Sequence, residues 1–196
     1  MSDLVLNKQR ILEATEDVLR RFGPGKTTVV DVARALGVSH SSVYKHFASK
    51  ADLLDAVMRG WLTRVGAELA TVRADKMTAS EQLKVWLRKL IDIKHGLAAE
   101  DPEMFATYVV LTMELREVVQ EHLSEFAEQI RQIIERGVAR GEFDVADPAA
   151  MARAVLIASD TFHNPIHASE WDRPNFDSDF DAVCSLILNG LRTQRS

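Results

Sequence analysis

The 196-residue chain holds one cysteine, five prolines and two tyrosines, and it carries no surplus of positive charge. A single thiol cannot close an internal disulfide, which fits a reducing compartment. Cys184 lies in "FDAVCSLILNGL" among apolar neighbours, the setting of a packed core thiol rather than a redox sensor. No apolar run approaches the roughly 20 residues that span a bilayer. The opening "MSDLVLNKQR" lacks the apolar stretch of a signal peptide, so the expectation is a cytoplasmic protein without a membrane partner. Alternating strand patterns are nearly absent. The chain also lacks an H-E-x-x-H motif and a nucleophile–base pair, and with them any sign of enzyme chemistry or a cofactor. One fragment of a phosphate loop is present, Gly25-Lys26-Thr27 in "GPGKTT". The full loop needs a glycine five positions before Gly25, where Arg20 stands, and a preceding strand, where "RILEATEDVLRRF" reads as a helix. Nucleotide binding is therefore set aside.

What is present is helical periodicity over almost the whole length. The net charge is −5, but it is unevenly shared: residues 1–60 carry +2 and the remaining 136 carry −7. A mildly basic head on an acidic body suits a chain in which only the head meets a polyanion. Ile11, Ala14, Val18, Leu19 and Phe22 form a first helical stripe, stopped by Gly23-Pro24-Gly25. "TTVVDVARALG" follows, with threonines able to cap its start and Gly37 suited to its end. "SHSSVYKHF" gives about two helical turns behind a Ser39 cap. Ser49 and Asp52 then open a long helix over "SKADLLDAVMRGWLTRVGAELATV". Further helices are expected at about 80–99, after Asp101-Pro102, at 114–140 ending at Gly141, from Asp147-Pro148 to about His163, and at 177–191. "HNPIHASEWDRPN" reads as a proline-broken loop.

The segment from Thr28 to Phe47 is a short helix, a glycine-centred turn and a second short helix, a helix-turn-helix outline. Ser39, His40, Ser41 and Ser42 crowd the start of the second helix. Their short polar side chains let the backbone approach base edges, where serine hydroxyls donate or accept. Val43 and Phe47, four apart, give that helix an inward face and leave Tyr44, Lys45 and His46 on or beside the outward one.

With these residues in place, "TTVVDVARALGVSHSSVYKHFASKADLLDAV" resembles the DNA-binding head of TetR-family repressors. Its threonine-rich start, D-V-A core, L-G-V-S turn, V-Y-K-H-F recognition helix and S-K-A-D-L-L opening all match that pattern, over residues 7 to about 58. The resemblance implies an all-α homodimer of about nine helices, with a helix-turn-helix domain at 1–52 and a ligand-binding and dimerisation body at 53–196. It places phosphate contacts on Thr27 or Thr28, on Tyr44 and on Lys50. Base reading falls on His40, Ser41 and Ser42, with Lys45 and His46 beside them. The partners it implies are a near-palindromic double-stranded operator, a second copy of the chain and a small-molecule effector. In the body, helices around Met151–Phe162 and Phe176–Leu191 carry wide apolar faces suited to pairing with a second copy.

The family layout also implies a cavity among the fifth to eighth helices. Trp86, Phe105, Tyr108, Thr112, Phe126, Phe162 and His163 are its candidate lining, apolar with a few polar groups, suited to a hydrophobic or aromatic effector. His163 and His167 have the spacing of a helical metal pair, with Asp160 and His95 as further candidates. Pro165 between them breaks the shared face, so no metal is expected. The reading is a repressor released by its effector. A ligand-activated DNA binder and an architectural DNA binder without a ligand remain alternatives.

Overall fold

The computed structural model describes residues 6–73 and 76–192. Among them are nine α-helices and one short 3-10 helix: α1 (Lys8–Lys26), α2 (Val29–Leu36), α3 (His40–Tyr44), α4 (Lys50–Leu69), α5 (Ala79–Glu100), α6 (Pro102–Glu114), α7 (Arg116–Ala139), α8 (Pro148–His163), the 3-10 helix Pro165–Glu170, and α9 (Phe176–Leu191). The only β pairing among the described residues is one isolated bridge, Phe143 with Arg192. The helices divide between two compact units, one of Met1–Thr63 with Leu97–Val119 and one of Arg64–Gly96 with Gln120–Ser196.

In the first unit, Asn7 caps α1 by accepting the Arg10 N–H. The expected stop at Gly23 is instead a kink: Gly23 takes φ 68°, and helical geometry resumes through Pro24 to Lys26. Only glycine tolerates that backbone cheaply, and proline suits the first position of the turn beyond it. Phe22, read as the last residue of the helical stripe, is exposed, because the kink ends the packed face one turn earlier. Ile11, Val18, Val29, Val32, Ala33, Val43, Phe47 and Leu53 form one core shared by α1 to α4. α6 packs on α1 in the same unit. Asp101 caps α6 through the Met104 N–H and also accepts from the Arg20 guanidinium at 2.9 Å, and the Thr107 hydroxyl reaches the Leu19 carbonyl.

In the second unit the Trp86 indole donates to Gln129 at 2.9 Å, and the Gln129 amide donates on to the Gly66 carbonyl, joining α5, α7 and α4 through buried polar groups that satisfy one another. Phe162 meets Phe176 and Phe180 edge-on at centroid distances of 5.3 and 5.5 Å, tying α8 to α9. The stretch expected to be a loop after α8 contains the 3-10 helix. The Asn164 side chain caps it through Ile166 N–H and donates to Asp160, which lets Pro165 occupy a first-turn position rather than break the chain. The Phe143 ring packs against Gly137, where an added Cβ would stand 2.2 Å from a ring carbon.

Gly137 and Gly96 separate two effects of one substitution. In an open helix position Gly→Ala stabilises by about 0.5–1 kcal/mol. Gly96 has open space where a Cβ would go, so Gly96→Ala raises the urea midpoint. Gly137→Ala collides with Phe143 and Ala79 and costs about 1–3 kcal/mol by overpacking, which lowers the midpoint.

Candidate nucleic-acid interface and effector cleft

Two caps and a turn build the candidate nucleic-acid face. At the start of α2, Thr28 accepts from the Asp31 N–H while the Asp31 carboxylate accepts from the Thr28 N–H, a reciprocal capping box. The Thr28 contacts, hydroxyl first, hold the Asp31 carboxyl below its usual range, with Arg34 helping. α2 ends at Gly37 in the left-handed region, φ 68°, and the Val38 N–H returns to the Ala33 carbonyl at 3.0 Å. Ser39 then caps α3 through the Ser42 N–H. Its hydroxyl also lies 2.9 Å from that of Ser41 and 2.8 Å from that of Ser42. α3 is five residues long, shorter than the two turns expected, because the chain tightens at Lys45 and the His46 N–H bonds to the Val43 carbonyl at 2.9 Å. Val43 and Phe47 are buried, as their spacing requires. His40, Ser41, Tyr44 and Lys45 are exposed and His46 is half-buried. The His40 and Tyr44 rings, one helical turn apart, meet edge-on.

Thr27 does not share this surface. It is 2% exposed, and its hydroxyl donates to the Gly23 carbonyl at 2.8 Å, so Thr28 alone caps α2. Lys50, first residue of α4, donates its ammonium to the Pro24 carbonyl at 2.6 Å. That bond ties the start of α4 to the "GPGKTT" turn and leaves Lys50 only half-buried.

The seven candidate effector residues fall in different places. Phe105, Tyr108 and Thr112 lie on α6 in the first unit, where the Thr112 hydroxyl bonds back to the Tyr108 carbonyl and Tyr108 meets Trp61 edge-on at 5.8 Å. Trp86, Phe126 and Phe162 are packed core of the second unit, each 1–3% exposed. His163 alone of the seven lines the cleft of about 390 Å³ between α7 and α8, with Leu123, Ala127, Leu156, Ile157 and Arg153 among its other walls. Those residues were not singled out from the sequence, since nothing in the periodicity marks a gap between two helices. Several buried polar residues were also missed, Lys94 and His122 among them. Lys94 continues the Leu83–Leu87–Leu90 face of α5, and His122 stands between Val118 and Phe126 on α7, so each occupies a core register where an apolar residue is the rule.

The histidines do not converge. His163 Nε2 lies 3.3 Å from the Ser159 hydroxyl, His167 faces Asp160 and Glu170, and His95 stacks on Trp171 at 4.2 Å. Among the described residues no three His, Cys, Asp or Glu side chains are grouped to hold a metal ion. Burial, reinforced by the charge of Lys94, pushes His163 down to about 3. Burial lowers His122 and His95 in the same direction. A folded-state value below the unfolded 6.5 means the unfolded chain binds more protons under pH 6.5, so stability is full above that pH and is lost as pH falls toward 3. Between pH 7 and pH 5 the His163 contribution is roughly 2 kcal/mol. Urea unfolding at the two pH values should therefore show His163→Gln losing that much less stability than the unsubstituted protein.

Comparison with known proteins agrees with this geometry. Residues 11–57 match the family described as bacterial regulatory proteins, tetR family, and residues 79–184 match the tetracyclin repressor-like C-terminal domain. The HTH-type transcriptional repressor KstR2 of Rhodococcus jostii is 27% identical over 191 residues, 94% of this chain and 90% of that protein. The fatty acid metabolism regulator protein of Bacillus subtilis is 22% identical over 153 residues, 76% of this chain and 77% of its own length. Two solved structures share the fold. FadR from Bacillus subtilis in complex with stearoyl-CoA has a TM-score of 0.68 at 19% identity, covering 95% of this chain and all of that one. SmeT, repressor of a Stenotrophomonas maltophilia multidrug efflux pump, has a TM-score of 0.70 at 18% identity, covering 98% and 94%. With the two family domains spanning the head and most of the body, the chain belongs to the TetR family and is a DNA-binding transcriptional regulator.

Proposed function

We propose that the protein is a homodimeric repressor that holds a near-palindromic operator through α3 and releases it when a small, largely apolar effector binds the body. The observation that carries the reading is the surface of α3. Buried Val43 and Phe47 fix the helix, while Ser41, Tyr44 and Lys45 stand exposed on its other side. Thr28, Tyr44 and Lys50 hold phosphates and set affinity; His40, Ser41 and Ser42, with Ser39, Lys45 and His46 beside them, face base edges and set sequence preference. Lys50 acts while its ammonium also rests on the Pro24 carbonyl, so it presents its charge from a fixed position.

Two copies are needed to place two such helices one DNA turn apart. On α8 and α9 the large apolar side chains Ile157 and Leu186 are 76% and 73% exposed, and Met151 is 40% exposed, faces that a second copy would cover. The names of the relatives support repression and an effector with an extended apolar body: one is a transcriptional repressor, another a regulator of fatty acid metabolism, and a structural neighbour is bound to stearoyl-CoA. Among the described residues no helix is long and apolar enough to cross a membrane, which suits a regulator working beside DNA in the cytoplasm. Effector binding shifts the population toward a state whose two recognition helices no longer match successive grooves.

Lys50→Ala should weaken operator and random DNA by a similar factor and flatten the slope of log affinity against log salt by about 1. Ser41→Ala should instead change which sequences are selected from a random pool. Equal operator and random-DNA affinities for Lys50→Ala and the unsubstituted protein across a salt titration would remove Lys50 from the phosphate set. Leu186→Glu should convert a dimer to a monomer by light scattering at micromolar concentration.

A further inference from the structure

Within the second unit, α7 and α8 face each other across a gap rather than a packed seam. On α8 the residues toward the gap, Ala149, Arg153, Leu156, Asp160 and His163, follow at spacings of four and three, a single helical stripe. The facing stripe of α7 includes Leu123, Ser124, Ala127 and Arg131. Ser124, Ala127 and Ala149 are small where a close-packed seam needs large side chains, and a cleft of about 390 Å³ is left. That volume lies at the small end of the roughly 300–1,000 Å³ of small-molecule sites. Phe143 packs against Gly137, so the chain turns back at the end of α7 and α8 runs antiparallel to it. Arg131, Ala149 and Arg153 therefore stand at the turn end of the cleft, Leu123, Leu156 and Ile157 along its length, and Asp160 and His163 at the far end.

The charges of this cleft are unequally matched. Arg131 is held by Glu128 and Glu135 on its own helix. Asp160 receives the Asn164 amide at 3.1 Å and lies 3.5 Å from His167. His163 is buried and neutral. Arg153 has no such match: it is exposed and makes no ion pair or hydrogen bond among the described residues. Ala149, Ala150, Leu156 and Ile157, its neighbours one turn away on α8, carry no carboxylate to pair with it. The cleft thus combines an apolar floor with one unmatched positive charge at one end.

We propose that the effector is an amphipathic anion, whose apolar body lies along Leu123, Leu156 and Ile157 and whose carboxylate or phosphate head is held by Arg153 at the turn end of the cleft. The proposal rests on the effector-released reading above and names the chemistry and orientation of the ligand. A planar guanidinium donates two parallel N–H bonds to either headgroup. The reverse orientation brings the anion beside the Asp160 carboxylate and is opposed by like charge. A neutral alcohol of the same body gains the apolar contacts alone. Ile157 belongs both to this cleft and to the face assigned above to a second copy, so that copy is the competing occupant.

The test uses the intact protein and four ligands that share one body and differ in the head: decanoate, decyl phosphate, decanol and decyltrimethylammonium, each below its micelle concentration. Affinity is read by calorimetry and function by release of operator DNA. The expected result is that decanoate or decyl phosphate binds roughly ten-fold more tightly than decanol, and the tighter of the two identifies the headgroup. Arg153→Ala, an exposed substitution that leaves the core intact, should remove that preference without weakening decanol. Ala127→Leu, which fills the cleft, should weaken every ligand that binds. If decanol or decyltrimethylammonium binds as tightly as the anions, the headgroup assignment falls. If the anions bind and Ala127→Leu leaves them unaffected, they bind elsewhere and the cleft assignment falls. If Arg153→Ala shifts the monomer–dimer equilibrium in light scattering and changes no ligand affinity, the second copy is its partner and the proposal is overturned. Binding as proposed without release of operator DNA leaves the site standing and overturns the effector-released reading. If none of the four binds, the proposal falls and that reading is untouched.

Discussion

A helix of five residues cannot hold itself together in water, since the first turn fixes several backbone torsions for one hydrogen bond. α3 exists because Val43 and Phe47 are buried in the core built by α1, α2 and α4. Everything the head does with DNA depends on that anchorage. The serine hydroxyls at its start and the exposed Tyr44 and Lys45 acquire fixed positions only because two apolar side chains on the opposite side are locked in place. The caps on either side serve the same end. Gly37 in the left-handed region, with its backbone hydrogen bonds, and the Ser39 hydroxyl, which accepts from the Ser42 N–H, set the angle at which α3 leaves α2.

The head is not an isolated module. α6 belongs to the same compact unit as α1 to α3, and Asp101 links them by serving two donors at once, the Met104 N–H at the start of α6 and the Arg20 guanidinium on α1. That ion pair is part-exposed and by itself is worth little. Its effect is directional, since one carboxylate fixes both the first turn of α6 and its distance from α1. The Thr107 contact to the Leu19 carbonyl adds a second point of attachment, so α6 is held to α1 by hydrogen bonds as well as by packing.

Much of this was legible in the sequence because it is written in local chemistry. Thr28 with Asp31, Ser39, Ser49, Asp101-Pro102 and Asp147-Pro148 each mark a helix start whose donors need a nearby acceptor, and α2, α3, α4, α6 and α8 begin there. Apolar spacing of three and four picked out Leu83, Trp86, Leu87, Leu90 and Ile91 on α5, all buried. What local chemistry does not carry is the outcome of competition between elements. Gly23-Pro24-Gly25 reads as a stop, yet a proline at a first-turn position restarts the helix for one turn, and Phe22 is left outside as a result. Thr27 and Thr28 are equivalent as letters; the Gly23 carbonyl, freed by the kink, claims the first and leaves the second as cap. The body is least legible. A large aromatic residue has the same pattern whether it fills a core or lines a cavity, and the difference between Trp86 and a ligand-facing side chain lies in Gln129, 43 positions away.

The Lys50 bond to the Pro24 carbonyl has a consequence of its own. It joins the two ends of a segment that contains all of α2, the turn and α3, making residues 24–50 a closed ring with one non-covalent seam. Such a ring behaves as a cassette. Its internal geometry is set by its own caps, by the seam and by the burial of Val43 and Phe47 against α1 and α4, and the residues we assign to base reading all lie inside it. Under the proposed assignment, operator choice can drift by substitution at a handful of exposed positions while the buried anchors stay as they are. If Lys50 holds a phosphate as proposed, the group that closes the cassette is also one that a phosphate oxygen would compete for.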